Sequence, residues 1–528
     1  MQNRPLNNIK NLFLPCLGFS MAAGFLSAII ITIFKLCAEA VIHRSTTLYD
    51  EVRANPVWLP LLILGAAVIG LAASFLYFRS NSCRGGGIPT SVAAIRGILN
   101  FRWWASIIIL PFSALMSFFC GLPLGTEGPC VQLGTAVGDG VIHCFASKKH
   151  KGWRRYVMTG GASAGFSIAA SSPVTAIIFA MEELHKHFSP LLMMVASISV
   201  MTAQVTVHLL SLLGIGSLGL FHMPTIPAIA PHLLFTPLVL GIVCGLASLL
   251  FSKLYQRINK ITRALLKKVS PVLLFPVLFA CVAVVGFFLT DTLGSGHSLI
   301  DKLFCTHLVW YLLILIFLIR AIVMMVCNTS GVTGGIFLPT LSFGALLGSL
   351  CGKLFLSLGW IGEEHYILMV VLGIVAFLGT TSHIPVTACV FAIEALGGFN
   401  NVLPVIIAIT VSFLIAQMLG LEDFTDTVIE SKTQSVKKGR TATVVDVPLT
   451  VNKNAFVIGK ELRDILWPNA CVVVSVARLP EHRGLHEILE GDVITLHYKT
   501  YTPADTAEEL AVLMGEQSDE AKSIMIPD

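Results

Sequence analysis

The chain has 528 residues, 55% of them hydrophobic and 12% charged, with a formal net charge of +5 and a mean hydropathy of +0.81. About one residue in four is charged in an ordinary soluble domain, so this composition excludes a soluble globular body and places most of the chain in lipid. The positive excess gathers in connections, at Lys148, Lys149, Lys151, Arg154 and Arg155 and again at Lys253, Arg257, Lys260, Arg263, Lys267 and Lys268. With no basic face interleaved with aromatics, a nucleic-acid partner is excluded too, and the positive-inside rule puts these loops in the cytoplasm.

The first ten residues, MQNRPLNNIK, have the basic flavour of a signal sequence. The apolar stretch that follows runs well past a signal core and lacks a cleavage site, so a retained first helix is expected. Apolar runs long enough to cross a bilayer cover 12–38, 57–77, 191–213, 233–251, 272–289 and 303–326.

Between these runs the sequence is punctuated by glycine and proline: Gly85, Gly86, Gly87 and Pro89; Gly125, Gly128 and Pro129; Gly331, Gly334, Gly335 and Pro339. Each cluster ends or starts a helix inside apolar sequence, proline being a start signal. Bare backbone at membrane depth is tolerated where it lines a cavity; close helix packing alone is the plainer reading of the glycines. An internal repeat organises the clusters. SPVTAIIFAME at 172–182 returns as IPVTACVFAIE at 384–394, and the spacing Pro129, Gly134, Gly138 returns as Pro339, Gly344, Gly348. Repeated halves with discontinuous helices meeting near the midplane are a transporter pattern.

Helix starts present unpaired N–H groups and a partial positive charge, so several aimed at one point bind an anion without holding it too tightly. No Lys or Arg lies within 85–89, 125–129 or 334–339. Glu127 is an ionisable group at one such start, costly in lipid unless functional. Its carboxylate can occupy the anion's place and vacate it on protonation; the plain alternative is a capping carboxylate. Glu182 and Glu183 close the helix that begins at Pro173, either marking its cytoplasmic end or, for one of them, taking up protons.

Together these residues resemble the CLC family of chloride channels and proton-coupled anion transporters. GGGIP at 85–89 is similar to the family's GSGIP, GTEGP at 125–129 to its G-basic-EGP, GGIFLP at 334–339 to its GxFxP, and GASAGFSIAASSPVTAIIFAMEE at 161–183 to its GAAAG…NAPLAG…EE helix pair. The resemblance implies an all-α polytopic cell-membrane protein of two inverted repeats with broken helices, assembled as a homodimer with a pore in each subunit. It implies that Glu127 is the external gating glutamate and Glu183 the internal proton glutamate. It also implies that the anion, chloride or a similar one, is lined by Gly86, Gly128, Ile336, Phe337, Leu338 and Thr425. Channels of the family commonly lack the internal acid, which favours proton-coupled antiport over a passive channel, the alternative left open. Three positions depart from the pattern. Gly86 replaces a serine, Thr425 a tyrosine and Thr126 a basic residue, which leaves preference among chloride, nitrate and fluoride open.

After the last apolar run, ending near Leu419, the composition turns polar. The expected division is a transport domain over 1–430, a linker over 431–440 and a small α+β cytoplasmic domain over 441–528. Strands are expected at 441–447, 471–477 and 493–498, and helices at 460–465 and 504–514. GKELRDI…VVVSVARL…LEGDVITLHY resembles the TrkA-C domain, which implies self-pairing and leaves an unidentified ligand open. The thirteen scattered cysteines form no Cys-x-x-Cys pair, and neither a metal nor a cofactor is expected. Gly161-Ala162-Ser163-Ala164-Gly165 fits G-x-S-x-G, but it lies in helical apolar sequence without a partnering His and acid, so a hydrolase is not expected.

Overall fold

The computed structural model describes residues 13–85, 87–99, 101–215, 226–437, 443–453, 455–482, 484–501, 503–517 and 525. Among them, eight helices are long and apolar enough to cross a membrane.

The first half runs α1 (Leu14–Ala54), α2 (Leu59–Arg79), α3 (Ile88–Ile95), α4 (Trp103–Phe119), α5 (Glu127–Phe145), α6 (Arg154–Ala170), α7 (Pro173–Phe179) and α8 (Pro190–Leu212). The second runs α9 (Phe235–Leu266), α10 (Pro271–Phe288), α11 (His297–Cys305), α12 (Trp310–Ser330), α13 (Phe337–Ser357), α14 (Tyr366–Thr381), α15 (Pro385–Glu394), α16 (Val402–Met418) and α17 (Phe424–Lys437). The apolar run expected over 303–326 is not one helix: α11 ends at Cys305 and α12 starts at Trp310. The chain is extended at Thr306 and Val309 between them, so short amphipathic α11 lies apart from the spanning segment.

The sequence repeat is a repeat of packing. α5 crosses α6 so closely that a Cβ on Gly134 would stand 2.0 Å from Gly161 O, and one on Gly161 2.1 Å from Gly134 O. The mates α13 and α14 cross the same way, with Gly344 at 2.5 Å from Gly373 O and Gly373 at 2.4 Å from Gly344 O. Only glycine lets two helix backbones approach this far. Ser171 and His383, at matching places before α7 and α15, both hold φ near +50° (52° and 54°), a left-handed conformation costly for residues with a Cβ.

Two contacts between the halves are reciprocal. Gly125 N–H donates to Gly335 O at 2.7 Å and Gly335 N–H to Gly125 O at 2.8 Å. Glu182 accepts from the N–H groups of Val386 (3.0 Å) and Thr387 (2.6 Å) at the start of α15. Glu394 in turn accepts from those of Val174 (2.9 Å) and Thr175 (2.8 Å) at the start of α7. When i meets j′ and j meets i′, the two bodies are related by a two-fold, so a pseudo-two-fold passes between Gly125 and Gly335 and between α7 and α15. Each carboxylate supplies acceptors for the orphan donors of a helix start in the other half.

Beyond α17 the chain forms β1 (Thr443–Thr450), β2 (Cys471–Ala477), β3 (Val493–Thr500) and α18 (Pro503–Met514). The three strands make an antiparallel sheet in the order β1-β3-β2. The expected helix over 460–465 is reduced to one 3-10 turn, Leu462–Asp464, because Glu461 is extended and bridges to Glu487. α17 crosses the expected boundary at 430; residues 438–442, covering the rest of that linker and the start of the first expected strand, lie outside the described residues.

The tail is fastened to the α6 end of the membrane part. Tyr156 OH donates to Asp464 O and accepts from Leu466 N–H at 3.0 Å. Arg155 bonds Trp467 O at 2.7 Å and Glu509 at 2.5 Å, and Ser189 OH donates to Asp464 at 2.7 Å. Phe456 packs edge-on to Trp153, ring centres 5.5 Å apart.

Candidate functional site: a buried carboxylate where three helix starts meet

Glu127 is the first residue of α5, and its side chain is buried, with the residue 1% exposed. One oxygen accepts from Thr126 OH at 3.2 Å; the other has no partner. The carboxylate curls back over Gly125, where a Cβ would stand 2.6 Å from Oε2, so that glycine makes room for it.

Around it, three interrupted stretches converge. A Cβ on Gly128 would lie 2.7 Å from Gly335 Cα and 3.0 Å from Gly87 Cα, which brings the starts of α3, α5 and α13 backbone to backbone. Gly87 has φ 108°, open to glycine and strained for any other residue. Its N–H is held by Gln132 Oε1 at 2.7 Å, and Gln132 in turn donates to Ser82 O at 2.6 Å, fixing the start of α3 to α5. Gly86 lies outside the described residues.

Ile336, Phe337 and Leu338 open α13 and are buried. By the repeat, Phe337 stands where Glu127 stands in the first half, since the bridge pairs Gly125 with Gly335. The Phe337 ring is edge-on to Phe166 at 5.1 Å, and Phe166 stacks on Phe179 at 4.4 Å. The first amides of each helix have no acceptor within their own helix. α5 and α13 therefore present dipolar donors beside apolar aromatic walls.

Glu183 occupies a separate place. α7 continues as a π-turn, Ala180–His185, and Glu183 within it is 2% exposed. Wide turns of this kind are rare and frequent at functional sites. Thr425 OH donates to Glu183 Oε1 at 2.5 Å, and Oε2 has no partner. Thr425, expected beside the anion, therefore directs its one hydroxyl proton at Glu183, because Asp423 caps its N–H at 2.8 Å and fixes the start of α17 there. Lys186 bonds Asp423 and Asp426, both at 2.5 Å. Arg96 bonds Asp426 at 3.3 Å and the carbonyls of Glu183 (3.3 Å) and Leu184 (3.2 Å). Glu182, adjacent in sequence, does a different job, capping α15.

One group was not legible near the glycines. Lys432, on α17, reaches Thr90 Oγ1 at 2.5 Å and Arg84 O at 3.1 Å. A lysine side chain from α17 thus reaches the 84–90 turn although no Lys or Arg occurs within 85–89, and the separation of 342 positions to Thr90 hides it from motif reading.

The family described as voltage gated chloride channel matches residues 65–417. The chain belongs to that family. Among curated relatives, the H(+)/Cl(-) exchange transporter ClcA of Klebsiella pneumoniae (strain 342) is 27% identical over 379 residues, 71% of this chain and 79% of its own. ClcA of Vibrio cholerae serotype O1 (strain M66-2) is 27% identical over 414 residues, 76% of this chain and 86% of its own. A slow cyanobacterial Cl-/H+ antiporter superposes with a TM-score of 0.72 at 20% identity, covering 80% of this chain and 99% of that one. A CLC-type fluoride/proton antiporter superposes with a TM-score of 0.64 at 19% identity, covering 77% and 97%. At these identities the superpositions show a shared fold. Within the family fold, the converging starts of α3, α5 and α13 and the separate Glu183 cluster all come from the part of the chain before β1.

Proposed function

We propose that the chain exchanges chloride or a similar small anion for protons across a cell membrane. The observation that carries this reading is Glu127: a buried carboxylate with an unpartnered oxygen, seated at helix starts whose dipoles favour a negative charge. An ionised carboxylate and a free anion compete for that place. Protonation neutralises Glu127 and releases it, so proton uptake and anion access become one event. The relatives named as H(+)/Cl(-) exchangers support the same chemistry.

Ile336, Phe337, Leu338 and Gly128 line the anion through backbone N–H groups, with Gly86 on the third stretch. Glu183 exchanges protons with the face that bears the basic loops, and Thr425 stabilises its ionised form. The subunit pairs with a second copy. The domain over 441–528 is a TrkA-C-like cytoplasmic module, since it docks on the basic connection at 148–155 that the positive-inside rule assigns to that face; its ligand is undetermined.

The test is Glu127→Gln in proteoliposomes, with anion and proton fluxes measured separately. Glutamine mimics the protonated acid permanently, so anion flux should persist while proton flux vanishes. Undiminished pH-driven anion uptake would remove Glu127 from the mechanism.

A further inference from the structure

The inner carboxylate Glu183 closes a ring of hydrogen bonds that runs through three elements. Its backbone carbonyl accepts from Arg96 at 3.3 Å, and Arg96, which follows α3, also donates to Asp426 Oδ1 at 3.3 Å. Asp426 Oδ2 and Asp423 Oδ2 both accept from the Lys186 ammonium at 2.5 Å. Asp423 Oδ1 accepts the Thr425 N–H at 2.8 Å, and the Thr425 hydroxyl returns to Glu183 Oε1 at 2.5 Å. The ring ties the end of α3 and the π-turn at 180–185 to the start of α17.

Lys186 follows the π-turn directly. Its N–H bonds Met181 O, and its φ of 52° is left-handed, a conformation costly for a residue with a Cβ. Glycine would relieve that cost, so the backbone alone does not call for lysine. The side chain does: one ammonium bridges two carboxylates of α17, and the Asp423 side chain is 5% exposed. Without the cation, a buried carboxylate would lose its counter-charge beside a like charge. The two would move apart and take the cap on Thr425 with them.

The Thr425 hydroxyl has one proton to donate, and on Oε1 it fixes the Glu183 carboxylate in one orientation. Glu183 Oε2 is buried with no partner among the described residues. We propose that Lys186 is a positioning residue for proton exchange at Glu183: by holding Asp423 and Asp426 together it keeps the Thr425 hydroxyl on Oε1 and leaves Oε2 to bind and release the proton. This rests on the reading of Glu183 as the inner proton group. Lys186 keeps its own proton throughout, and its effect runs through Asp423 and Thr425.

The test uses full-length protein in proteoliposomes, with proton and anion fluxes recorded together and anion affinity measured by calorimetry. Lys186→Gly suits the backbone and removes the ammonium. Proton flux should fall roughly tenfold, less than loss of a proton-transfer group itself brings, with anion affinity unchanged. Lys186→Arg, which keeps the charge, should restore most of the flux. In Thr425→Val, where the ring is already cut, adding Lys186→Gly should lower proton flux no further. Asp426→Asn, at a half-exposed side chain, cuts the ring at another member and should lower proton flux too, which decides the matter if Lys186→Gly fails to fold. Unchanged proton flux in Lys186→Gly or in Asp426→Asn overturns the proposal. So does a Lys186→Gly loss that adds in full to that of Thr425→Val, or one that falls equally on anion affinity, either of which would mark Lys186 as a fastening for the fold. Glu183→Gln separates the two readings. Proton flux that survives it overturns the role of Glu183 and this one together, whereas flux lost in Glu183→Gln but intact in Lys186→Gly overturns the positioning role alone.

Discussion

Gly125 and Glu127 show how much of the mechanism rests on absent atoms. The carboxylate stays folded over the chain because Gly125 has no Cβ; a methyl there would stand 2.6 Å from Oε2 and 3.1 Å from Leu338 Cβ. Gly125→Ala should therefore push Glu127 out of the anion's place and raise the anion-to-proton flux ratio several-fold, read from paired electrode recordings. A ratio equal to wild type would mean that the side chain moves without consequence. Thr425 makes the matching argument at the other carboxylate. Removing its hydroxyl in Thr425→Val leaves buried Glu183 without the donor to Oε1, a loss of about 1–3 kcal/mol. Proton flux should fall while anion affinity measured by calorimetry stays unchanged; weakened anion binding would instead place Thr425 on the anion.

The helices tell which features a sequence can disclose. Glycine and proline clusters at 85–89, 125–129 and 334–339 were legible because broken helices need those residues locally, and the repeat was legible because both halves spend them at the same offsets. The apolar run at 303–326 misled, since hydropathy does not register the extended link between α11 and α12. The predicted tail helix at 460–465 failed for a related reason: a bridge from Glu461 to Glu487 across the fold outweighs local helix preference. The exchange of caps between α7 and α15 was hidden as well. Glu182 and Glu394 each read as the end of their own helix, and the donors they serve lie 204 to 220 positions away. Glu182→Ala and Glu394→Ala should each lower stability by about 1–2 kcal/mol, and by similar amounts, because the two sites are mates. Thermal unfolding in detergent checks this, and a large effect at one site alone would contradict the two-fold relation. Neither variant should change the stoichiometry of exchange.

The tail and the membrane part meet on a buried lysine. Lys460 lies over the Phe456 ring at 3.7 Å and near Trp153 at 5.8 Å. Burial pushes its ammonium down to about 7, with Asp464 opposing the shift. An exposed lysine titrates near 10.4. Below pH 7 both docked and undocked forms carry the proton, and the docked form bears the full cost of a buried charge. Between about pH 7 and 10 the docked form is neutral while the undocked form stays protonated, so docking strengthens as pH rises, by up to ~1.4 kcal/mol per unit. Hydrogen exchange at the Leu466 amide, which bonds Tyr156 OH, should be slower at pH 8.5 than at 6.5 after correction for intrinsic rates. Lys460→Met should flatten that dependence, and a slope that survives the substitution would move the titration elsewhere.

In the proposed exchange one pathway joins anion and proton movement, and the reversal potential of purified protein in planar bilayers under crossed anion and pH gradients reports whether it does. Coupled exchange predicts a potential displaced from the anion equilibrium value when only pH differs across the bilayer, with the displacement abolished in Glu127→Gln. A potential that follows the anion gradient alone, indifferent to pH, would make the protein a passive anion channel.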